Sequence, residues 1–167
     1  MEDALQQESG LAWFNGEFLP LGEIRISPFD RGFLFADGVY EGLRWYPGSG
    51  VFRFADHLRR LGASLEMIRL GGVDLSEFER AVPELIRRNG LADSDATIYL
   101  QVTRGVAPRT HSFPDPPPVP TRLALVRSFR PLTEAHRDGV AVTLVDDLRW
   151  GRCDIKSISL LANVLAK

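Results

Sequence analysis

The chain has 167 residues, 44% hydrophobic and 25% charged, which suits a folded globular protein and excludes a disordered one. Twenty basic residues stand against 22 acidic ones, a net charge of −2, so no broad nucleic-acid surface is expected. One cysteine, Cys153, excludes an internal disulfide and a cysteine-built zinc site. No apolar run is long enough to span a bilayer, and residues 1–10 resemble neither a signal nor a transit peptide, which favours the cytoplasm.

Residues 1–10 read as a flexible terminus. Leu11 to Phe14 and Glu17 to Leu19 flank Asn15-Gly16, the strongest short hairpin signal, because both turn positions need positive φ. Glu23 to Ile26 alternates polar and apolar and predicts a third short strand; Ser27 to Gly32 reads as a loop. Val39 to Tyr46 and Val51 to Phe54 predict a second hairpin around Pro47-Gly48-Ser49-Gly50. Leu58, Leu61, Leu65 and Ile68 recur at helical spacing, with Asp56 as a cap and Gly71-Gly72 as the stop. Ser76 and Glu79 form a capping-box pattern that opens a helix through Phe78, Val82, Leu85 and Ile86 to Asn89-Gly90, with Pro83 inside it as a kink site.

Thr97 to Thr103 is a clear strand. Residues 105–120 hold Pro108, Pro114, Pro116, Pro117, Pro118 and Pro120 and cannot be regular structure. Leu123 to Val126 and Val140 to Val145 read as strands, and Ile158 to Leu165 as the start of a helix. The order predicts an α+β protein with a small N-terminal domain over residues 11–130. A connector over 131–139 and the opening of a second domain over 140–167 follow. One strand and one helix cannot bury a core, so the chain reads as cut short.

Four segments could carry chemistry. The chain has only two lysines, Lys156 and Lys167, among its 20 basic residues. Lysine, unlike arginine, can lose its proton and condense with an aldehyde, and Lys156 lies between a polar stretch and an apolar helix start. It is either a partly desolvated amine or a surface lysine. Arg109 and His111, two apart on a loop after a strand, could converge on one anion or simply face solvent. His57, Arg59 and Arg60 lie near a helix N-terminus that could hold phosphate, or on a solvated face. Tyr40 begins a strand after a glycine, its hydroxyl in a cleft or satisfied in the core. No metal-ligand spacing, GxGxxG or nucleophile elbow occurs.

Taken together, Asp30-Arg31-Gly32, Asp37-Gly38-Val39-Tyr40-Glu41, His57-Leu58-Arg59-Arg60-Leu61, Thr103-Arg104-Gly105 with Pro108-Arg109-Thr110-His111, and Arg152-Cys153-Asp154-Ile155-Lys156-Ser157 form an ordered set. The set resembles the fold-type IV pyridoxal-phosphate aminotransferases, and within them the D-amino-acid transaminases. The resemblance implies the N-terminal α/β sandwich domain of those enzymes plus the beginning of a larger one. It implies pyridoxal 5′-phosphate as cofactor, with Lys156 forming the internal aldimine and shuttling the proton. Arg60 would hold the cofactor phosphate. Tyr40, Arg109 and His111 would trap the substrate α-carboxylate, with that loop reaching over from a neighbouring subunit, so a homodimer is implied. Substrates would be D-amino acids such as D-alanine or D-glutamate with a 2-oxo acid acceptor. Alternatives within the fold are a branched-chain-type or (R)-amine transaminase or an aminodeoxychorismate-lyase-like enzyme. Family members continue past this lysine and there supply the acidic partner of the pyridine nitrogen and most of the phosphate cup. On its own, the chain could therefore be a non-catalytic fragment.

Overall fold

The computed structural model describes residues 10–167. The flexible terminus expected at residues 1–10 thus lies, apart from Gly10, outside the described residues. Strands β1 (Leu11–Phe14) and β2 (Glu17–Pro20) form the first hairpin. Its turn places Asn15 at φ 51° and Gly16 at φ 103°, as the Asn-Gly pair predicts. A 3-10 turn at Leu21–Glu23 follows, where a strand at 23–26 is expected from the alternation. The segment finds no strand to pair with among the described residues, and alternation without a partner is not a strand.

The loop expected at 27–32 contains the start of a short helix, α1 (Arg31–Phe35), capped by the Asp30 carboxylate, which accepts from the Gly32 N–H at 2.8 Å. Strand β3 (Gly38–Tyr46) is followed by a two-residue β4 (Gly50–Val51). The second strand of that hairpin is shorter than expected because helix α2 (Phe54–Met67) claims Phe54. Asp56 is not its cap. It lies within the first turn and pairs with Arg53 and Arg59 at 2.6 Å. The chain leaves α2 through a left-handed Arg69, φ 55°, before reaching Gly71 and Gly72.

Helix α3 (Ser76–Arg88) begins at Ser76, so Ser76 cannot be the residue before it. The capping is done by Asp74, which accepts from the Ser76 N–H at 2.9 Å and its hydroxyl at 2.6 Å. Pro83 sits on the exposed side of α3, where a carbonyl left without its helical donor can meet water.

Strands β5 (Ala96–Thr103) and β6 (Thr121–Ser128) complete an antiparallel sheet of order β2-β1-β6-β5-β3-β4. The intervening segment contains no helix and no strand, as its prolines require. On one sheet face Val39 opposes Val102 and Leu43 opposes Ile98, and Leu100 opposes Ala124. All of these are buried. Leu58, Leu61 and Leu65 of α2 and Phe78, Val82, Leu85 and Ile86 of α3 cover that face. Trp13 meets Phe78 edge-on, with ring centroids 5.2 Å apart.

Beyond the sheet, the stretch expected as a connector carries a short helix, α4 (Thr133–Asp138). Val140 to Val145 has strand composition but pairs with no strand, and Val142 and Leu144 are 81% and 96% exposed. A strand needs a neighbour's N–H and C=O groups, and none is offered there among the described residues. The last helix, α5 (Leu161–Leu165), begins three residues later than expected. No helix of the described residues is long and apolar enough to cross a membrane.

Candidate active site

The segment after Asp154 returns to the sheet. Ile155 is buried in the core beside α2 and β3. Ser157 bridges Val39, the Tyr40 N–H donates to the Lys156 carbonyl at 3.0 Å, and the Ile158 N–H donates to the Gly38 carbonyl at 3.1 Å. The Lys156 N–H donates to Ser64 Oγ of α2 at 3.3 Å. These bonds hold a stretch without regular structure in a fixed register, and they bring Lys156 to Tyr40. Lys156 Nζ lies 4.3 Å from the Tyr40 ring centroid. Tyr40 in turn stacks on Tyr99 across the β3–β5 pair at 5.7 Å. Burial, with a smaller contribution from Tyr40, pushes the Tyr99 phenol up to about 12.

Lys156, Tyr40 and Arg60 line one cavity of about 730 Å³, together with Ala36, Trp150 and Leu160. Of the expected site residues, these three are brought together. Arg60 is anchored from below. Glu41 is fully buried and accepts from Arg60 Nε and one terminal amine, both at 2.6 Å, and pairs with His57 Nδ1 at 2.8 Å. Burial alone would push the Glu41 carboxyl up; the hydrogen bonds from Arg60 and His57 outweigh it and hold the group below its ordinary value. Nη1 of Arg60 has no partner among the described residues and is left for another acceptor.

Arg109 and His111 are not in that cavity. Both stand on one ring, Phe35 of α1: the Arg109 guanidinium lies 5.3 Å from its centroid and the His111 ring 5.5 Å. The pair thus shares one aromatic platform, next in sequence to the cavity-lining Ala36.

The Asp37-to-Glu41 motif names Glu41 but gives it no role. Its signal was in the strand period: Val39, Glu41 and Leu43 point to the same face, so a carboxylate stands where two apolar neighbours are buried. Such a group requires cationic partners, and His57 and Arg60 supply them. Asp37 was likewise unassigned. It joins two buried arginines, Arg31 at 2.8 Å and Arg104 at 2.7 Å.

The family model for amino-transferase class IV matches residues 38–167. D-alanine aminotransferase of Staphylococcus haemolyticus is 42% identical over 156 residues, 93% of this chain and 54% of that protein. The Bacillus licheniformis D-alanine aminotransferase is 39% identical over 92% of this chain and 53% of that protein. The chain therefore spans about half the length of the curated relatives it matches. Among solved structures, the T.th. branched-chain amino acid aminotransferase complexed with N-(5′-phosphopyridoxyl)-L-glutamate has a TM-score of 0.65 at 26% identity, over 72% of this chain and 41% of that one. The Thermoproteus uzoniensis branched-chain aminotransferase with norvaline has a TM-score of 0.62 at 25% identity, over 73% and 41%. With a family model matching residues 38–167 and an α+β fold shared with these enzymes, this chain belongs to the class IV aminotransferases.

Proposed function

We propose that the protein transaminates D-amino acids, such as D-alanine or D-glutamate, with a 2-oxo acid acceptor, using pyridoxal 5′-phosphate. The observation that carries this is that Lys156 and Arg60 line one cavity. A primary amine and a fixed guanidinium are the donor set for a molecule that bears an aldehyde and a phosphate. When bound, pyridoxal phosphate supplies the aldehyde and an electron-withdrawing ring that stabilises charge at the substrate Cα.

The chain's own residues then have these roles. Lys156 would hold the cofactor through its amine and would serve as the base that removes and returns the proton at the substrate Cα. The Tyr40 ring lies against the amine and limits its water contact on that side. Arg60, held by Glu41, offers Nη1 to the phosphate. Arg109 and His111 take the α-carboxylate, and Tyr40 assists. We propose a homodimer in which the loop between β5 and β6, the arm that bears Arg109 and His111, serves the site of a second copy; that neither residue lines the Lys156 cavity of its own chain supports this reading. Residues 11–130 form the small domain, 131–139 the connector, and 140–167 the beginning of the cofactor domain. We propose a cytoplasmic location, where a single free cysteine stays reduced.

The sequence relatives at 39–43% identity favour D-alanine as donor. The solved neighbours favour branched-chain amino acids, the second reading. Loading the protein with the cofactor, reducing with borohydride and mapping by mass spectrometry is expected to place the pyridoxyl group on Lys156. Lys156→Ala is expected to lose both the adduct and turnover. An adduct on another residue, or full turnover by Lys156→Ala, refutes the assignment. D-alanine against L-leucine as donor separates the two readings.

A further inference from the structure

The Asp30-Arg31-Gly32 motif, which the reaction itself does not use, holds the arm that bears Arg109 and His111. Asp30 is 2% exposed. Its Oδ1 accepts from the Thr103 hydroxyl at 2.8 Å, and its Oδ2 accepts from the Thr121 hydroxyl at 2.6 Å. Thr103 immediately precedes the arm and Thr121 follows it, so a single carboxylate closes both stems. The Arg31 N–H donates to the Gly105 carbonyl at 2.9 Å, and the Ala107 N–H donates to the Phe29 carbonyl at 3.3 Å.

The Arg31 side chain reaches further along the arm. Its Nε donates to Asp37 at 2.8 Å and its Nη1 to the Thr110 carbonyl at 2.7 Å. Thr110 lies between Arg109 and His111. Asp37 is itself held by Arg104, whose Nη2 also donates to the Ile68 carbonyl at 2.7 Å and so ties the clamp to the end of α2. One helical turn beyond Arg31, Phe35 packs against three of these groups: Arg31 at 4.8 Å, Arg109 at 5.3 Å and His111 at 5.5 Å from its ring.

We propose that Arg31 and Phe35 are positioning residues that preset Arg109 and His111 for the carboxylate, with Asp30 and Asp37 fixing them in turn. This rests on the reading that the Arg109–His111 pair binds the α-carboxylate. The fork of a guanidinium satisfies Asp37 and the Thr110 carbonyl through separate nitrogens in one plane; the compact ammonium of a shorter lysine cannot reproduce that spread geometry. An arm ordered before the ligand arrives spares the ligand that ordering cost, so the effect belongs in affinity more than in chemistry.

The test uses the cofactor-loaded protein with Arg31→Lys, Phe35→Leu and Arg109→Ala, each first shown to melt cooperatively. Arg31→Lys is expected to speed amide exchange over residues 105–111 by about tenfold and to raise KM for D-alanine about tenfold, or about 1.4 kcal/mol. The KM change should exceed the kcat change. Phe35→Leu keeps the Asp37 clamp, so it should raise KM several-fold with arm exchange left slow. It also decides the matter should Arg31→Lys not fold. If Arg109→Ala raises KM but Arg31→Lys and Phe35→Leu change neither KM nor exchange, the positioning role is overturned and the carboxylate reading stands. If Arg109→Ala leaves KM unchanged, the carboxylate reading falls and this inference with it. Exchange in Arg31→Lys then still reports whether Arg31 holds the arm.

Discussion

Replacing Glu41 by glutamine tests whether the buried carboxylate under Arg60 stabilises the fold as the geometry requires. Glutamine matches the size of glutamate but loses the charge and turns one acceptor oxygen into a donor. Three donor contacts converge on Glu41: Nε and Nη2 of Arg60, each at 2.6 Å, and Nδ1 of His57 at 2.8 Å. At least one of them would face the new NH2 group. Removing one partner of a fully buried pair costs about 3–5 kcal/mol. The Arg60 side chain is 54% exposed and can turn to water, which lowers the expected loss to about 2 kcal/mol. For a chain of this size that is a fall in Tm of about 4–8 °C.

The sign of the pH dependence follows from the depressed carboxyl. A depressed folded-state value contributes stability above the ordinary value of 4.5 and loses it as the pH falls through the lower folded value. The Tm gap between the wild type and Glu41→Gln should therefore be full at neutral pH and narrow as acid is added below that value. Thermal melts by circular dichroism at stepped pH measure it. A gap under about 1 °C at neutral pH, or one that widens in acid, refutes the reasoning.

Gly32→Ala should destabilise the arm's anchor, since an added Cβ would lie 2.2 Å from Thr103 Cγ2 and 2.8 Å from Thr103 Cβ. Thr103 cannot yield without breaking its bond to Asp30, so overpacking should cost about 1–3 kcal/mol in a urea melt. Wild-type stability would contradict that packing. In an ultraviolet titration, Tyr99 should ionise near its raised value of about 12. Tyr99→Phe should delete that step. Because the folded state favours the neutral phenol, Tyr99 stabilises the fold less as the pH rises above the ordinary value of 10. Loss in Tyr99→Phe of a step near the ordinary value of 10 instead would overturn the burial argument.

Local signals were legible where the sequence itself settles the structure. Asn15-Gly16 dictates its turn through backbone sterics, the leucines of α2 and the apolar row of α3 dictate one buried face each, and the prolines between β5 and β6 forbid regular structure. The motifs named the residues worth watching, including Lys156 and Arg60. Misreadings fell where the outcome depends on a distant partner. Glu23 to Ile26 and Val140 to Val145 have a strand's pattern, but pairing is supplied by another segment or not at all. Capping failed for a smaller reason: Ser76 and Asp74 both suit the role, and a shift of helix start decides between them.

Sequence alone therefore settles which residues have the chemistry, because a lysine amine or an arginine fork is a property of the side chain. Only tertiary structure decides which of them meet. The docking of residues 155–158 on β3 brings Lys156 to Tyr40 and to the cavity that Arg60 also lines, both distant from it along the chain, while the clamp of Asp30, Arg31 and Asp37 holds Arg109 and His111, which do not line it. The physical reason is that these contacts join segments far apart in the chain, through single hydrogen bonds that leave no periodic trace in the sequence.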